Sequence, residues 1–126
     1  MAMVGSSILI VKCTITIPWF DKTLHPNARV HYQVLAKAKD KAKHNAYYLA
    51  LNYKEFVEAP IAVNLLFNAP DKRHRDLDGC LSACKAALDG IAQAIGVDDK
   101  YFRPITIDWG NGTKGTIDII LHQVIN

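Results

Sequence analysis

The stretch that decides the fold is DLDGCLSACKAALDGIAQAI, residues 76–95. Apolar residues recur in it at steps of four and three, the spacing that places side chains on one face of a helix. Gly96 follows, and glycine is the residue that most often ends a helix in the left-handed conformation. The stretch therefore predicts one helix over residues 76–95 with a continuous apolar face. The residues of that face are Leu77, Leu81, Cys84, Leu88, Ile91 and Ile95.

The flanking segments predict the remaining elements. Strands are predicted over four segments: residues 8–17, 61–67, 101–109 and 116–124. A first helix is predicted over residues 30–53, which contain no Gly or Pro and many Ala, Lys and Leu residues. The Gly-rich residues 110–115 predict a hairpin between the last two strands. The order β-α-β-α-β-β predicts an α+β fold, a single domain over residues 1–126 with a mixed β-sheet packed by two helices.

The composition sets limits on the class of protein. The chain has 126 residues, half of them hydrophobic, which is enough for one compact core. Its 15 Lys and Arg against 12 Asp and Glu make it mildly basic, which does not by itself identify a nucleic-acid binder. The apolar run that begins at Ile8 stops at Lys12, far short of the roughly 20 residues that cross a bilayer. We therefore expect no membrane partner and a cytoplasmic location.

The cysteines leave two interpretations open. Cys13, Cys80 and Cys84 are an odd, small set that gives no disulfide framework and suits a reducing compartment. Cys80 and Cys84 lie one helical turn apart, as a zinc-binding pair could. No second Cys/His pair with zinc spacing follows nearby, so two ordinary thiols on a helix are the favoured interpretation.

The acidic residues include candidate metal ligands. Asp76 and Asp78 open the predicted helix, where they are typical of an N-cap and of residues that complement the helix dipole. Asp99 belongs to an Asp-Asp pair that is also typical of a turn. On one continuous helix Asp78 and Lys85 would share a face, because seven residues are about two turns. Carboxylates with a nearby lysine suit Mg²⁺ and a phosphate ester, since Mg²⁺ prefers oxygen ligands.

Positive charge precedes these carboxylates directly. Lys72, Arg73 and Arg75 lead into Asp76, which suits a polyanionic substrate but also suits a solvated loop. Arg29, Lys37 and Lys41 lie in or just before the first helix, where lysines spread around much of the surface and a fraction could face DNA. Glycine-rich phosphate loops are absent, so no nucleotide cofactor is expected. We find no convincing Ser-His-Asp triad.

Several of these segments resemble one known family. PDKRHRDLD (residues 70–78), KAALD (85–89) and VDD (97–99) resemble the RusA family of phage and prophage Holliday-junction resolvases, as do ITIPW (15–19) and PNARVH (26–31). The resemblance covers nearly the whole chain. It implies a homodimeric endonuclease of a bacterial host cell that cuts four-way and related branched DNA by paired nicks, in recombination and repair. It also implies Mg²⁺ as cofactor, with Mn²⁺ as a substitute.

The resemblance also implies roles for individual residues. Its essential carboxylates fall on Asp76, Asp78 and Asp99 as metal ligands, and its essential lysine falls on Lys85. Two departures are present: Gly79 stands where the family usually has Asn, and the spacing from Asp78 to Lys85 is longer than in the best-known member. A relative that binds branched DNA without cutting it is the alternative function. The residues expected to hold DNA phosphates are Arg29, Lys37, Lys41, Lys72, Arg73 and Arg75.

Overall fold

A computed structural model gives the fold and describes residues 2–4, 7–54, 58 and 60–125. The strands are β1 (Ala2–Val4), β2 (Ser7–Pro18), β3 (Ile61–Asn68), β4 (Phe102–Trp109) and β5 (Thr116–Ile125). The α-helices are α1 (Tyr32–Ala50), α2 (Leu77–Ala83) and α3 (Lys85–Ile95). Short 3₁₀ helices lie at Lys22–Leu24, Leu51–Tyr53 and Asp99–Tyr101.

The strands form one mixed sheet in the order β1-β2-β5-β3-β4. β3 and β4 are parallel, and the other neighbours are antiparallel. The predicted α+β class with a mixed sheet packed by helices is therefore confirmed. The prediction lacked the short strand β1, and it lacked the division of the second helical segment.

The core lies between the helices and one face of the sheet. Ile15, Ile119 and Leu65 are register partners across β2, β5 and β3, and each is at most 2% exposed. These three side chains share one buried cluster with Ile91 of α3, on the face of the sheet that the helices cover. Successive residues of a strand point to opposite faces. Thr16, the next residue along β2, is exposed on the opposite face.

The two long helices approach each other very closely at Gly90. A Cβ atom built on Gly90 would collide with the backbone carbonyl oxygen of Lys43 in α1. Ala46 and Ala50, further along α1, are fully buried. Small residues therefore set the distance between α1 and α3.

The prediction of one continuous helix over residues 76–95 is wrong. The chain leaves the helical conformation at Cys84, with φ −95° and ψ 1°, and its N–H donates to the carbonyl oxygens of Leu81 and Ser82. Helix α3 then begins with a bond from Leu88 N–H to the carbonyl of Cys84. Cys80 and Cys84 are both 1% exposed, so both thiols lie in the core although the helix is interrupted at Cys84. The apolar pattern cannot reveal such a break, because the core-facing residues continue across it.

The predicted hairpin between the last two strands is also wrong. β4 pairs with β3, and β5 lies on the other side of β3, so residues 110–115 cross over the end of that strand. Gly110 N–H donates to the carbonyl oxygen of Phe67 at 3.0 Å. A Cβ atom on Gly110 would collide with the Asn68 side chain, so the crossing requires glycine there. A Gly-rich loop suits either connection, and the pairing depends on contacts distant in sequence.

Within residues 2–4, 7–54, 58 and 60–125, no helix has both the length and the apolar content needed to cross a bilayer.

Candidate metal and nucleic-acid site

Asp76 and Asp78 lie at the N-terminus of α2 and face solvent. Asp76 occupies the N-cap position, yet its side chain makes no capping hydrogen bond and is 78% exposed. Its Oδ1 is 3.8 Å from Nε2 of His74. Asp78 lies in the first turn and is exposed. The capping interpretation of Asp76 therefore lacks the hydrogen bond that would stabilise the helix, and both carboxylates face outward.

The loop before α2 is organised around Asp71. Its Oδ1 accepts a hydrogen bond from the backbone N–H of Arg73 at 2.9 Å, and Nη2 of Arg75 lies 2.9 Å from the same oxygen. Its Oδ2 lies 3.2 Å from Nη2 of Arg73. The backbone and side-chain hydrogen bonds of Arg73 lower the pKa of Asp71 to about 2, and Arg75 contributes further. Asp71 thus holds both arginines in the loop.

The two arginines differ in how far their side chains are exposed to solvent. The Arg75 side chain is 16% exposed, donates to the carbonyl oxygens of Asp71 and Arg73, and lies 5.4 Å over the Trp19 ring. The Arg73 side chain is 80% exposed, and Lys72 is exposed. Arg75 is therefore an internal anchor of the loop, whereas Lys72 and Arg73 offer charge to solvent.

Lys85 is the first residue of α3 and is exposed. The argument that it shares a helical face with Asp78 assumed one continuous helix, and the break at Cys84 removes that argument. Asp89, four residues further along α3, lies on the same side of the helix as Lys85, because residues four apart are neighbours on a helix surface. Lys85 is thus positioned by α3 rather than by the helix that carries Asp78.

Asp99 lies beside Asp89. A hydrogen bond to Asp89 is the main cause that raises the pKa of Asp99 above its ordinary value, followed by partial desolvation and by Asp98. The structure therefore brings Asp99 to the side of α3 that carries Asp89. Asp89 was not predicted as a metal ligand, and its contact with Asp99 was not predicted from the sequence.

The predicted ligands do not form one compact cluster. Across the described ranges, no three His, Cys, Asp or Glu side chains are grouped so that they could hold one metal ion. Asp76 and Asp78 are two exposed carboxylates at the start of α2, and Asp89 and Asp99 are a second pair in contact with each other. Mg²⁺ in proteins often uses only one or two carboxylates with water and substrate phosphate. The first pair therefore fits the donor chemistry of Mg²⁺.

His25 contacts the start of α2 and was assigned no role from the sequence. A Cβ atom on Gly79 would lie 2.9 Å from Nε2 of His25, so the imidazole fills the space beside this buried glycine. The Nδ1 of His25 accepts from the backbone N–H of Asn27 at 3.1 Å. Gly79 thus permits a close contact between the 25–27 turn and α2. No local pattern in the sequence signals this contact.

The predicted DNA-binding residues of the first helical segment are exposed. Arg29 lies in the loop before α1, and Lys37 and Lys41 lie on the helix. Lys41 also borders a cleft between α1 and the segment after β2. The structure thus leaves all three cations available for contact, and it places Lys41 beside a concave surface.

The cysteines behave as interior thiols. Cys13, Cys80 and Cys84 are buried and unpaired. Burial raises the pKa of Cys84 to about 12 and that of Cys13 to about 11, so both stay protonated at neutral pH. No group of three potential ligands includes Cys80 and Cys84 in the part of the chain that the structure describes.

Comparison with known proteins identifies a relative but no activity. No protein-family model matches the chain. An uncharacterized protein of Xylella fastidiosa (strain Temecula1) is 35% identical over 94 residues, which are 71% of this chain and 61% of that protein. The chain therefore spans about three-fifths of the length of the relative that it matches. The description of that relative includes no substrate or reaction.

Proposed function

We propose that this protein is a magnesium-dependent endonuclease that cuts branched DNA, including four-way junctions. The observation that carries the proposal is the pair of exposed carboxylates, Asp76 and Asp78, directly after a basic loop. A helix cap alone would be expected to use the Asp76 side chain as an acceptor, and it does not. Free carboxylates next to cations suit a metal and a phosphodiester together.

Asp76 and Asp78 would hold the metal, with Asp99 as the third ligand that the RusA resemblance implies. Bound Mg²⁺, or Mn²⁺ in its place, supplies charge stabilisation at the phosphate and a water of lowered pKa. The contact between Asp89 and Asp99 supports a role for Asp99, because two carboxylates in contact repel each other when both are ionised. A cation near this pair would relieve that repulsion.

Lys85 would stabilise the negative charge that develops at the scissile phosphate. It is exposed and lies on the same side of α3 as Asp89, the contact residue of Asp99. Removing one group that stabilises transition-state charge typically costs about 10²- to 10³-fold in rate. A Lys85→Ala variant is expected to fall in that range, while its affinity for DNA changes much less.

The basic residues would hold the DNA backbone. Lys72 and Arg73 are exposed beside the carboxylates, with Arg73 also paired with Asp71. Arg29, Lys37 and Lys41 add cations from the other helical segment. Arg75 would act indirectly, because its guanidinium is engaged with Asp71 and Trp19. Phosphate contacts fix the position of a duplex without reading its sequence.

The proposal includes a homodimer in the cytoplasm of a bacterial host, acting in recombination and repair. A symmetric junction requires two opposed nicks, so a twofold dimer with two sites matches its symmetry. The support for this step is the RusA resemblance of the segments around Asp76, Lys85 and Asp99.

A relative that binds branched DNA without cutting it is the second candidate. The observation that favours it is the separation of the acidic residues into two pairs, with no group of three ligands among the described residues. In that case the basic loop and α1 would still bind DNA. Cleavage, rather than binding, separates the two functions.

The experiment uses the whole protein with a synthetic four-way junction, with and without Mg²⁺. The variant is Asp78→Asn, and the matched control is Asp40→Asn, which changes an exposed aspartate on α1. We expect paired nicks that require Mg²⁺ and Asp78 and that Asp40→Asn leaves intact. Tight binding of the junction without nicks would instead establish the second candidate. Nicks that persist in Asp78→Asn would overturn the assignment of the site.

A further inference from the structure

A cleft of about 270 Å³ opens between α1, the α2–α3 junction and the segment that follows β2. Trp19 and Phe20 form one wall, with ring centroids 4.8 Å apart and planes inclined by 29°. Ala42 from α1 and Ala87 from α3 line it, and Cys84 lies where the two helices meet. The cleft therefore combines an aromatic surface with two helical surfaces.

The cleft exists because four residues of its helical walls are alanines. Ala38 and Ala42 lie one turn apart on α1, and Ala83 and Ala87 lie on either side of the break at Cys84. Larger side chains at these positions would fill the space, as they do elsewhere between the helices and the sheet. The same break that separates α2 from α3 thus borders the cleft.

The rim of the cleft carries polar groups of complementary kinds. Asp21 offers a hydrogen-bond acceptor, Lys41 a donor and Asn45 both. A backbone hydrogen bond from Thr23 lowers the pKa of Asp21, and the charge of Lys41 lowers it further, so this carboxylate is ionised and lies near the lysine. An occupant with an apolar ring and a polar edge would satisfy both the aromatic wall and the rim.

The cleft has the size for a planar heterocycle. An apolar protein cavity of about 150 Å³ accommodates benzene. A cleft of 270 Å³ has room for a one- or two-ring base, and its open side admits the attached sugar. Nucleobases stack on aromatic side chains and present donors and acceptors at their edges.

Trp19 connects the cleft to the candidate nuclease site. One part of its side chain lines the cleft, and the Arg75 guanidinium lies 5.4 Å from its ring centroid. Arg75 is bound to Asp71 at 2.9 Å and immediately precedes Asp76. A nucleotide in the cleft would therefore lie next to the loop that carries the proposed phosphate contacts.

We propose that this cleft binds one unpaired nucleobase of the branched DNA, packed against the aromatic wall formed by Trp19 and Phe20 with its edge at Lys41 and Asn45. The inference rests on the proposed action on branched DNA and adds the structural feature that the protein recognises. The continuous base stack is interrupted at the crossover of branched DNA, so a base there is unpaired at lower cost than in a continuous duplex. The cleft would thus contribute to selection of branched over linear DNA.

The test compares two junctions that differ at one position. One carries an unpaired adenine at the crossover, and the other carries an abasic residue there; both are bound in EDTA so that no strand is cut. We expect the protein to prefer the unpaired base by roughly fivefold to one-hundredfold, the contribution of stacking one base on aromatic side chains. Equal affinity for the two junctions would overturn the proposal.

A pair of alanine variants locates the preference. Ala42→Leu fills the cleft and is expected to remove the preference for the unpaired base. Ala36→Leu places the same side chain on an exposed position of α1 and is expected to retain it. Thermal unfolding of both variants shows whether they fold. If Ala42→Leu does not fold, the comparison of the two junctions on the unsubstituted protein still decides.

The last measurement tests whether the cleft binds a free nucleotide. Deoxyadenosine monophosphate is titrated into a Trp109→Phe variant, in which Trp19 is the remaining tryptophan and reports stacking by fluorescence quenching. Quenching by the nucleotide with no preference between the junctions would identify a free-nucleotide site and overturn the DNA assignment. Mg²⁺-dependent nicking with equal affinity for both junctions would refute the cleft proposal alone. Absence of both junction binding and nicking would refute the proposed function as well.

Discussion

Single carboxylates in this protein differ because of their immediate neighbours. Asp71 is surrounded by donors, which lower its pKa to about 2, whereas Asp99 contacts Asp89, which raises its pKa. Both groups are at the surface, so burial does not separate them. The sequence shows all of these residues simply as aspartates near position 76. Their different chemistry follows from hydrogen bonds that the sequence does not display.

The contact between Asp89 and Asp99 predicts a pH-dependent effect on stability. Because the folded-state pKa of Asp99 is raised, the native state is penalised above that pKa, and the penalty disappears as the pH falls through it. An Asp89→Asn variant is therefore expected to be more stable than the parent at neutral pH and closer to it in acid. Urea midpoints measured from pH 3 to pH 7 check this.

Asp40→Asn is the matched control for that series, because Asp40 is an exposed aspartate on α1. It should follow the pH dependence of the parent. A carbon-13 titration of the Asp99 carboxyl in Asp89→Asn should give a pKa lower than in the parent. An unchanged Asp99 titration would mean that the two carboxylates do not interact in solution.

Arg75 and Arg73 both pair with Asp71, and they predict a contrast between a largely buried arginine and an exposed one. Arg75→Lys keeps the charge but loses the planar fork that contacts Asp71, two carbonyl oxygens and the Trp19 face. We expect it to lower the free energy of unfolding by about 1 kcal/mol, the net value of one such hydrogen bond. Arg73→Lys, at an 80% exposed side chain, should change stability little. Equal midpoints in urea denaturation would contradict the assignment of Arg75 as an anchor.

At the scale of elements, the close approach of α1 and α3 predicts an unusual response to alanine. Gly90→Ala would normally favour a helix by about 1 kcal/mol. Here the new Cβ would collide with the Lys43 carbonyl oxygen, so the helices must separate. Overpacking of this kind costs about 1–3 kcal/mol. We expect a net loss of stability, measured as a lower urea midpoint.

Two further alanine variants serve as comparisons for Gly90→Ala. Gln93→Ala changes an exposed residue of α3 and should leave the midpoint unchanged or slightly higher. Gly79→Ala would meet only the end of the His25 side chain at 2.9 Å, which can rotate away, so its cost should be smaller than that of Gly90→Ala. A Gly90→Ala protein as stable as the parent would show that α1 and α3 are more loosely packed in solution.

The sequence predicted the elements better than it predicted their relations. The strands, the long first helix and the core-facing pattern of Leu88, Ile91 and Ile95 followed from local composition and periodicity, and the structure confirms them. The break at Cys84 did not, because its buried side chain fits the periodic pattern with or without a break. The position of β4 beside β3 did not either, since strand pairing depends on residues far apart in the chain.

At the scale of the whole molecule, the candidate site likewise combines features that the sequence predicts with contacts that it does not. The position of Asp76 and Asp78 at a helix start was predicted from the sequence, and the structure confirms it. Their exposure was not predicted. The contacts of His25 with Gly79, of Arg75 with Trp19 and of Asp89 with Asp99 join segments separated by turns, strands or helices, so no local pattern signals them. Folding of the chain therefore brings the two residues of each contact together.

The distribution of charge over the whole molecule predicts how DNA affinity responds to salt. The net charge is only +3, so a long-range field of the protein contributes little, and local cations should dominate the salt dependence. Each phosphate contact adds about 0.9 to the magnitude of the slope of log affinity against log salt concentration. Lys72→Ala and Arg73→Ala are each expected to reduce that magnitude by about 1. Lys12→Ala, at an exposed position of β2, is the matched control and should leave it unchanged. Fluorescence anisotropy with a labelled junction in EDTA measures the slopes, and equal slopes for all four proteins would remove the loop before α2 from the DNA-binding surface.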